Sequence, residues 1–484
     1  MTPVKTIIFI VLLFSLNCYT SAQTNKATIK KINAIFSSYN SKTPGVAVAI
    51  VKDGKVVFKK GYGMANLSHK IPITTQTSFN LASVSKQFTA FIIYLMENEG
   101  MLSFEDNVRK YLPELPNYAT PVRIKHLLAH TSGLKDHGAL ASIAGSYIYG
   151  DVSTNEQNIK LLARTKELNF TPGSAFGYSN SNYTLLAEIV HRITGKTFAE
   201  YAKEKIFIPL EMKNTIVCDN YETVIKNKAE SYELRDNIYY HKPVIESNVG
   251  PSNVWTTVED MSRWVLNFEK PRVGNPAVIA AFNKPSLFDD GKRVFIRIID
   301  GDTIFHAKGQ NIWKHKGVTI FSHGGHTAAF RTFTGRFPDH NLSIIQLSND
   351  EHNERLGGRW DIADYYIKNL LVEKEIANSP VQSITTVPTP TENYNVDLNE
   401  FTGNYYNNEL DTKYHLEVKS NQLIMKHKRL YDITLKRIGE NTFSGSGSNT
   451  FGFELNFMRN GTGVIIGFTI SNWGARNVKF EKQN

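Results

Sequence analysis

Two textures in the sequence predict an α/β (α+β) fold followed by a separate all-β domain. Strand-like apolar runs stand near both ends of the first 370 or so residues, with helical patterns between them. After a stretch rich in proline, serine and threonine, short β-rich runs recur at regular spacing to the C-terminus. Strands at both ends with helices between them predict one antiparallel sheet built from both termini and flanked by helices. Short runs separated by Gly, Asn and Asp predict a small barrel or sandwich.

The chain begins with a leader-like segment. Lys5 precedes the apolar run Ile7–Leu16, and Ser21-Ala22-Gln23 offers small residues for cleavage. The run is too short to span a bilayer, so residues 1–22 read as a secretory signal peptide cut after Ala22. The expected location is periplasmic or secreted. Cys18 raises a lipoprotein alternative, but Asn17 before it is a poor match to a lipobox. No other apolar run could span a membrane.

Removing the leader leaves Cys218 as the single cysteine, so no intramolecular disulfide can form and the fold must rest on its core. The net charge of +10 becomes +9 without Lys5. The lysines and arginines are scattered, with no arginine-rich arm, which argues against nucleic acid as a partner.

Along the chain, Val46–Val51 and Val56–Lys60 flank Asp53-Gly54, a strong hairpin signal. Thr74–Leu81 leads into a helix from Val84 to about Asn98, with an apolar stripe of Phe88, Phe91, Ile92, Leu95 and Met96. Gly100 follows as its stop. Helical patterns and loops alternate to about Glu269. Ile320–Phe321, Ala328–Phe333 and Leu342–Leu347 read as strands, and Ile362–Leu371 as a closing helix. The first domain is thus bounded at 23–372, a linker at 373–393 contains Pro380, Pro388 and Pro390, and the β domain covers 394–484. Its expected strands are Phe401–Tyr406, Tyr414–Val418, Gln422–Lys426, Tyr431–Lys436, Thr442–Ser444, Phe451–Phe457, Val464–Thr469 and Val478–Phe480.

The chemistry centres on Ser83 and Lys86, three positions apart at a helix start and therefore on one face. A serine hydroxyl needs a base to become a nucleophile. A lysine can serve only if burial or positive charge lowers its pKa. By itself the pair also fits a capping serine followed by a surface lysine. Three further segments bear on it. Tyr178 and Asn180 follow the Pro172-Gly173 turn; a tyrosine hydroxyl can relay a proton, and a carboxamide can bind an acyl group or amide. Tyr405–Asn407 and Tyr406–Asn408 match the same short pattern and are expected to be barrel positions without chemistry. Phe321-Ser-His-Gly-Gly-His-Thr327 places glycines beside a strand, where another backbone can approach closely. A backbone N–H there could complete an oxyanion hole with that of Ser83, and His323 could present a proton donor to substrate. A metal pair of His323 and His326 is the rival reading; the intervening glycines and the absence of acidic residues argue against it. In His126–Leu134, Thr131-Ser-Gly133 reads as a helix-ending turn, and His130 as a packed residue. No cofactor is implied.

Ser83-Val-Ser-Lys86, Tyr178-Ser-Asn180 and His323-Gly-Gly325 together resemble the serine β-lactamase-like family, which holds class C β-lactamases, D-alanyl-D-alanine carboxypeptidases, D-aminopeptidases and family VIII esterases. Leu127–Leu134 and Thr257–Asp260 are similar to that family too, and the resemblance covers about residues 30–370. It implies a helical subdomain beside the sheet and the site between them. It also implies roles: Ser83 nucleophile, Lys86 base, Tyr178 proton relay, Asn180 contact to the substrate amide, and His323, Gly325 and the His326 N–H as the third motif. The C-terminal domain resembles the lipocalin-like domain of many such hydrolases. An exported serine hydrolase is expected, forming an acyl-enzyme with D-amino-acid peptides, cell-wall fragments or small esters. Two alternatives stand: a β-lactamase, or a non-catalytic binding or assembly protein that retains the fold. His323 stands where class C enzymes carry lysine, and a neutral imidazole anchors a carboxylate less strongly. Gly250-Pro-Ser-Asn253 replaces a glycine-rich turn usual in relatives. The C-terminal domain is a candidate oligomer contact.

Overall fold

The computed structural model describes residues 26–146, 150–299, 301–352, 358–367, 397–447 and 450–483. The expected leader with its cleavage point, Cys18 and the expected linker at 373–393 lie outside these residues. Among the described residues, no helix is long and apolar enough to cross a membrane.

The first domain runs in chain order α1 (Lys26–Ile35), β1 (Val46–Lys52), β2 (Lys55–Tyr62), α2 (Lys86–Asn98), α3 (Ile124–Ala129), α4 (His137–Ile143), α5 (Asn155–Arg164), α6 (Asn180–Thr194) and α7 (Val258–Leu266). It continues through β3 (Phe295–Ile299), β4 (Asp302–His306), β5 (Asn311–His315), β6 (Val318–Thr327), β7 (Phe330–Phe337), β8 (Leu342–Ser348) and α8 (Arg359–Ile367). Eight strands form one antiparallel sheet in the order β3-β4-β5-β6-β7-β8-β1-β2.

The two ends of the domain meet where β1 pairs with β8, Val46 opposite Ser348 and Lys52 opposite Leu342. The β1–β2 hairpin turns on Asp53 and Gly54, whose φ angles of 50° and 75° are both left-handed, as a tight hairpin turn requires. Both faces of β1 are buried, which is why it reads as an unbroken apolar run. Val46, Val48 and Ile50 pack with Ile32 of α1 and Ile362 of α8. Ala47, Ala49 and Val51 belong to the larger core with Phe88 of α2 and Trp264 of α7.

The expected α2 stripe is buried as read, and Gly100 at φ 72° follows the helix. Three differences are informative. Strands β3 to β5 extend the sheet beyond the runs read from sequence. Phe295 and Ile298 of β3 are exposed, so no clean alternation marks it. β7 starts at Phe330 rather than Ala328, because Ala328 takes φ 47° in a turn that lacks the usual turn residues. The closing helix begins earlier, at Arg359, and is described only to Ile367.

The second domain is a closed barrel of eight strands: β9 (Gly403–Asn407), β10 (Thr412–Lys419), β11 (Gln422–His427), β12 (Leu430–Arg437), β13 (Thr442–Gly447), β14 (Thr450–Arg459), β15 (Ile465–Ser471) and β16 (Val478–Gln483). β9 pairs with β16, which closes the ring and settles barrel against sandwich. Phe401 lies in a preceding helical turn, Leu398–Phe401, rather than a strand. The barrel core is packed with rings, including Phe401, Tyr405, Phe457, Phe468 and Phe480.

Trp264 is fully buried with its ring 4.5 Å from that of Phe88 and 5.2 Å from that of Phe91. Trp264→Ala is expected to lower stability by about 3–5 kcal/mol, read from urea denaturation.

Candidate active site

Ser83 sits in a helical turn, Ala82–Ser85, that runs straight into α2 at Lys86. Ala82 holds φ 48°, a conformation L residues rarely adopt. Its N–H donates to Asn80 Oδ1 at 2.7 Å, and Thr332 Oγ1 of β7 donates to the Leu81 carbonyl at 2.7 Å. The Leu81 N–H donates to Val254 O at 2.8 Å. The turn is therefore fixed from several sides, and Ser83 is presented at the end of α2.

Lys86 is fully buried one turn further on. Its Nζ lies 3.1 Å from Ser83 Oγ, 2.8 Å from Asn180 Oδ1 and 2.8 Å from the Pro251 carbonyl. Tyr178 Oη is 2.8 Å from Ser83 Oγ. Tyr178 and Asn180 flank Ser179, whose backbone is extended at φ −147°, so both side chains turn to one side. The structure thus brings together Ser83, Lys86, Tyr178 and Asn180, which are nearly a hundred residues apart in two pairs.

Burial sets the charges. It pulls the Lys86 amine down to about 7, against the opposing pull of the Asp136 and Glu246 carboxylates. It pushes Tyr178 well above the ordinary phenol value, with the Ser83 hydrogen bond opposing. At neutral pH the tyrosine keeps its proton, while a large share of the lysine has lost its own.

The third motif lies on β6, which crosses the Ser83 turn. Gly325 is where the two meet: a Cβ there would stand 2.3 Å from the Leu81 carbonyl oxygen and 2.3 Å from Thr332 Oγ1. His323 is buried, whereas the His326 side chain is 42% exposed and pairs with Glu351 at 3.1 Å. Three residues apart on a strand, the two imidazoles face opposite sides and cannot share an ion. His323 Nδ1 lies 2.6 Å from the Gly324 carbonyl, which only accepts, so Nδ1 carries the proton and Nε2 is left as an acceptor. Burial and the nearby Lys86 hold His323 neutral, down to about 4. The expected proton donor at this position is therefore an acceptor.

His130 ends α3 in the left-handed conformation, φ 57°, and is packed as expected. Its ring lies 4.5 Å from that of Tyr178, and its Nδ1 accepts from the Ser179 N–H at 3.2 Å. It supports the tyrosine loop from behind.

Three residues of this site had no signal in the sequence. The Pro251 carbonyl holds Lys86, which gives the Gly250–Asn253 turn its role. Gly250 takes φ 104° and lies against the Tyr183 carbonyl, where a Cβ would stand 2.2 Å away. Asp136 accepts the Asn180 N–H at 2.6 Å through Oδ2 and the Ala139 N–H at 3.0 Å through Oδ1. Glu246 faces the cleft with one long contact to Asn248 Nδ2 at 3.5 Å, and burial pushes its carboxyl up to about 7. A cavity of about 750 Å³ opens before Ser83, with Tyr178, Asn180, Asp136, Glu246 and His326 in its wall. Lys86, His323 and Gly325 are not part of that wall. Among the described residues, no cluster of His, Cys, Asp and Glu could hold a metal ion.

An antiparallel sheet, a helical layer and a serine–lysine–tyrosine cluster between them define the class of serine hydrolases related to β-lactamases. The chain belongs to the Beta-lactamase family, whose family model matches residues 27–366. It is similar to penicillin-binding protein 4* of Bacillus subtilis strain 168, 30% identical over 322 residues, covering 63% of this chain and 68% of that protein. It is 28% identical over 317 residues to a D-aminopeptidase of Gluconobacter oxydans, covering 63% of this chain and 56% of that one. The chain thus spans less than two thirds of the aminopeptidase's length. Among solved structures, an octameric penicillin-binding protein homologue from Pyrococcus abyssi shares the fold, with a TM-score of 0.61 at 21% identity. That match covers 94% of this chain and 99% of the other.

Gly325→Ala is expected to force β6 away from the Ser83 turn. Overpacking of this kind costs about 1–3 kcal/mol, read as a lowered melting temperature.

Proposed function

We propose that the protein hydrolyses D-aminoacyl amides and short D-amino-acid peptides through an acyl-enzyme on Ser83. The observation that carries this reading is the environment of Lys86 Nζ. A neutral amine has two N–H donors and one lone pair. Asn180 Oδ1 and Pro251 O lie 2.8 Å away and only accept, so they take the two donors. The lone pair is left for the Ser83 hydroxyl at 3.1 Å. Lys86 is then the base that takes the serine proton as Oγ attacks the scissile carbonyl. Tyr178, kept protonated by burial, passes a proton from its hydroxyl to the leaving nitrogen, and the proton that Lys86 took from Ser83 then restores the tyrosine. The backbone N–H groups of Ser83 and His326 serve as the oxyanion hole. Asn180 uses its amide nitrogen for the substrate while its oxygen holds Lys86. Water then hydrolyses the ester by the reverse path. The leader at the N-terminus supports a site of action outside the cytoplasm.

The substrate class rests on two supports. D-aminopeptidases are among the relatives. Glu246 adds to the cavity wall a carboxyl with little hydrogen bonding of its own; raised to about 7, it is partly charged at neutral pH, and a substrate ammonium would favour its charged form. The β-lactamase alternative is weaker here, because His323 is buried, neutral and an acceptor, and so does not attract a carboxylate.

Ser83→Ala is expected to abolish both labelling by a fluorophosphonate and release of p-nitroaniline from D-alanyl-p-nitroanilide. Labelling of the variant equal to wild type sinks the proposal. Lys86→Ala should lower kcat by at least about 10³-fold, in the range of lost general-base catalysis with misplacement of the nucleophile. Lys86 acts only when neutral, so log(kcat/KM) should rise by one per pH unit below about 7 and level off above it.

Glu246→Gln removes a negative charge facing Lys86. The acidic limb of the profile should move to lower pH. In parallel, kcat/KM for a free-amine D-aminoacyl amide should fall by about tenfold or more relative to its N-acetyl form, the scale of a lost charge-assisted hydrogen bond. Equal losses on both substrates would exclude Glu246 as the ammonium contact.

A further inference from the structure

The C-terminal barrel does not stand apart from the cleft. Leu410, Arg429 and Trp473, all from the barrel domain, line the same cavity as Ser83 and Tyr178. Trp473 is 46% exposed, a large apolar surface left at the rim of the cavity. Arg429 bridges to the first domain, with its guanidinium 2.7 and 2.6 Å from the two carboxylate oxygens of Asp151, another wall residue.

The barrel is held there by contacts at both ends of α4. At the start of α4, the Asp136 N–H donates to the Gly474 carbonyl at 2.9 Å, and Asn472 Nδ2 donates to the Ala139 carbonyl at 3.2 Å. The fit is close: a Cβ on Gly474 would stand 2.7 Å from Asp136 Cβ. Asn169 closes the same corner, donating from Nδ2 to Gly474 O at 3.0 Å and accepting from the Arg476 N–H at 2.8 Å. At the end of α4, Tyr414 Oη donates to the Ile143 carbonyl at 2.8 Å. Gly145 lies against His427, where a Cβ would be 2.0 Å from the ring. A domain tethered only by a linker would not require such close backbone approach.

These contacts lead into the reacting groups. Gly474 O holds Asp136, Asp136 Oδ2 holds the Asn180 N–H, and Asn180 Oδ1 holds Lys86 Nζ. The rim of the barrel is thus three hydrogen bonds from the amine beside Ser83.

We infer that the C-terminal barrel is the closing wall of the active-site cleft, and that Trp473 with the Arg429–Asp151 bridge limits how far a substrate extends from Ser83. The wall selects short amides and peptides and excludes long chains and cross-linked polymers. This rests on Ser83 as the nucleophile, and the test separates the two claims.

The probes are two fluorophosphonates, a small diethyl form and one carrying a tripeptide, each reacted with the full chain. Their second-order rate constants for Ser83 are compared in wild type, Trp473→Ala, Arg429→Ala and Arg429→Lys. The wall predicts that Trp473→Ala and Arg429→Ala raise the tripeptide-to-diethyl ratio at least fivefold, with the diethyl rate within twofold of wild type. Arg429→Lys keeps a cation for Asp151 and should stay near the wild-type ratio. Melting temperatures check that the variants are folded. A ratio unchanged in both alanine variants, with diethyl labelling intact, overturns the wall. So does a proportional fall with both probes. Labelling of wild type that survives Ser83→Ala overturns the nucleophile and the wall together.

Discussion

The buried amine of Lys86 is the constraint around which the site is organised. An ammonium in a dry interior is costly, and the chain meets that cost by letting the amine release its proton near neutral pH. Asn180 Oδ1 and the Pro251 carbonyl then satisfy its two donors. They come from the first residue of α6 and the turn before Val254–Thr256. Lys86 itself starts α2. The amine is thus where three distant stretches of chain converge, and a shift in any of them moves it relative to Ser83.

The rest of the fold keeps those stretches in place. Strand β6 crosses over the Ser83 turn at a glycine because nothing larger fits against the Leu81 carbonyl. Residue Ala82 is held at an unfavourable φ by hydrogen bonds from β7 and to Asn80. Strain of this kind persists only where the surroundings over-determine it. Behind the tyrosine loop, His130 supports Tyr178, and Asp136 ties Asn180 to the start of α4. The same aspartate meets the barrel, so the second domain enters the site through the residue that positions Asn180.

Both textures of the chain were legible because they follow local rules. The Asp53-Gly54 turn, the α2 stripe with Gly100 after it, and the short barrel runs depend on turn chemistry and apolar period. β3 escaped because it is an edge strand with Phe295 and Ile298 exposed, so no buried face imposes alternation on it. The start of β7 was misplaced because its turn at Ala328 takes a left-handed φ without glycine or asparagine. His323 read as a proton donor because sequence shows an imidazole but not which nitrogen is committed to a neighbouring carbonyl.

The sequence by itself determined the residue types able to do the chemistry: a hydroxyl and an amine one helical turn apart, a tyrosine and a carboxamide two positions apart, and glycines where strands and turns touch. Those are short-range facts, set by helix and strand periods. Only the tertiary structure decided that Lys86 is buried, that Pro251, Asp136 and Glu246 belong to its surroundings, and that the barrel shares the cavity. A pKa depends on everything within several ångströms, whatever its distance along the chain. Burial, backbone carbonyls and a wall from another domain therefore exist only once the chain has folded.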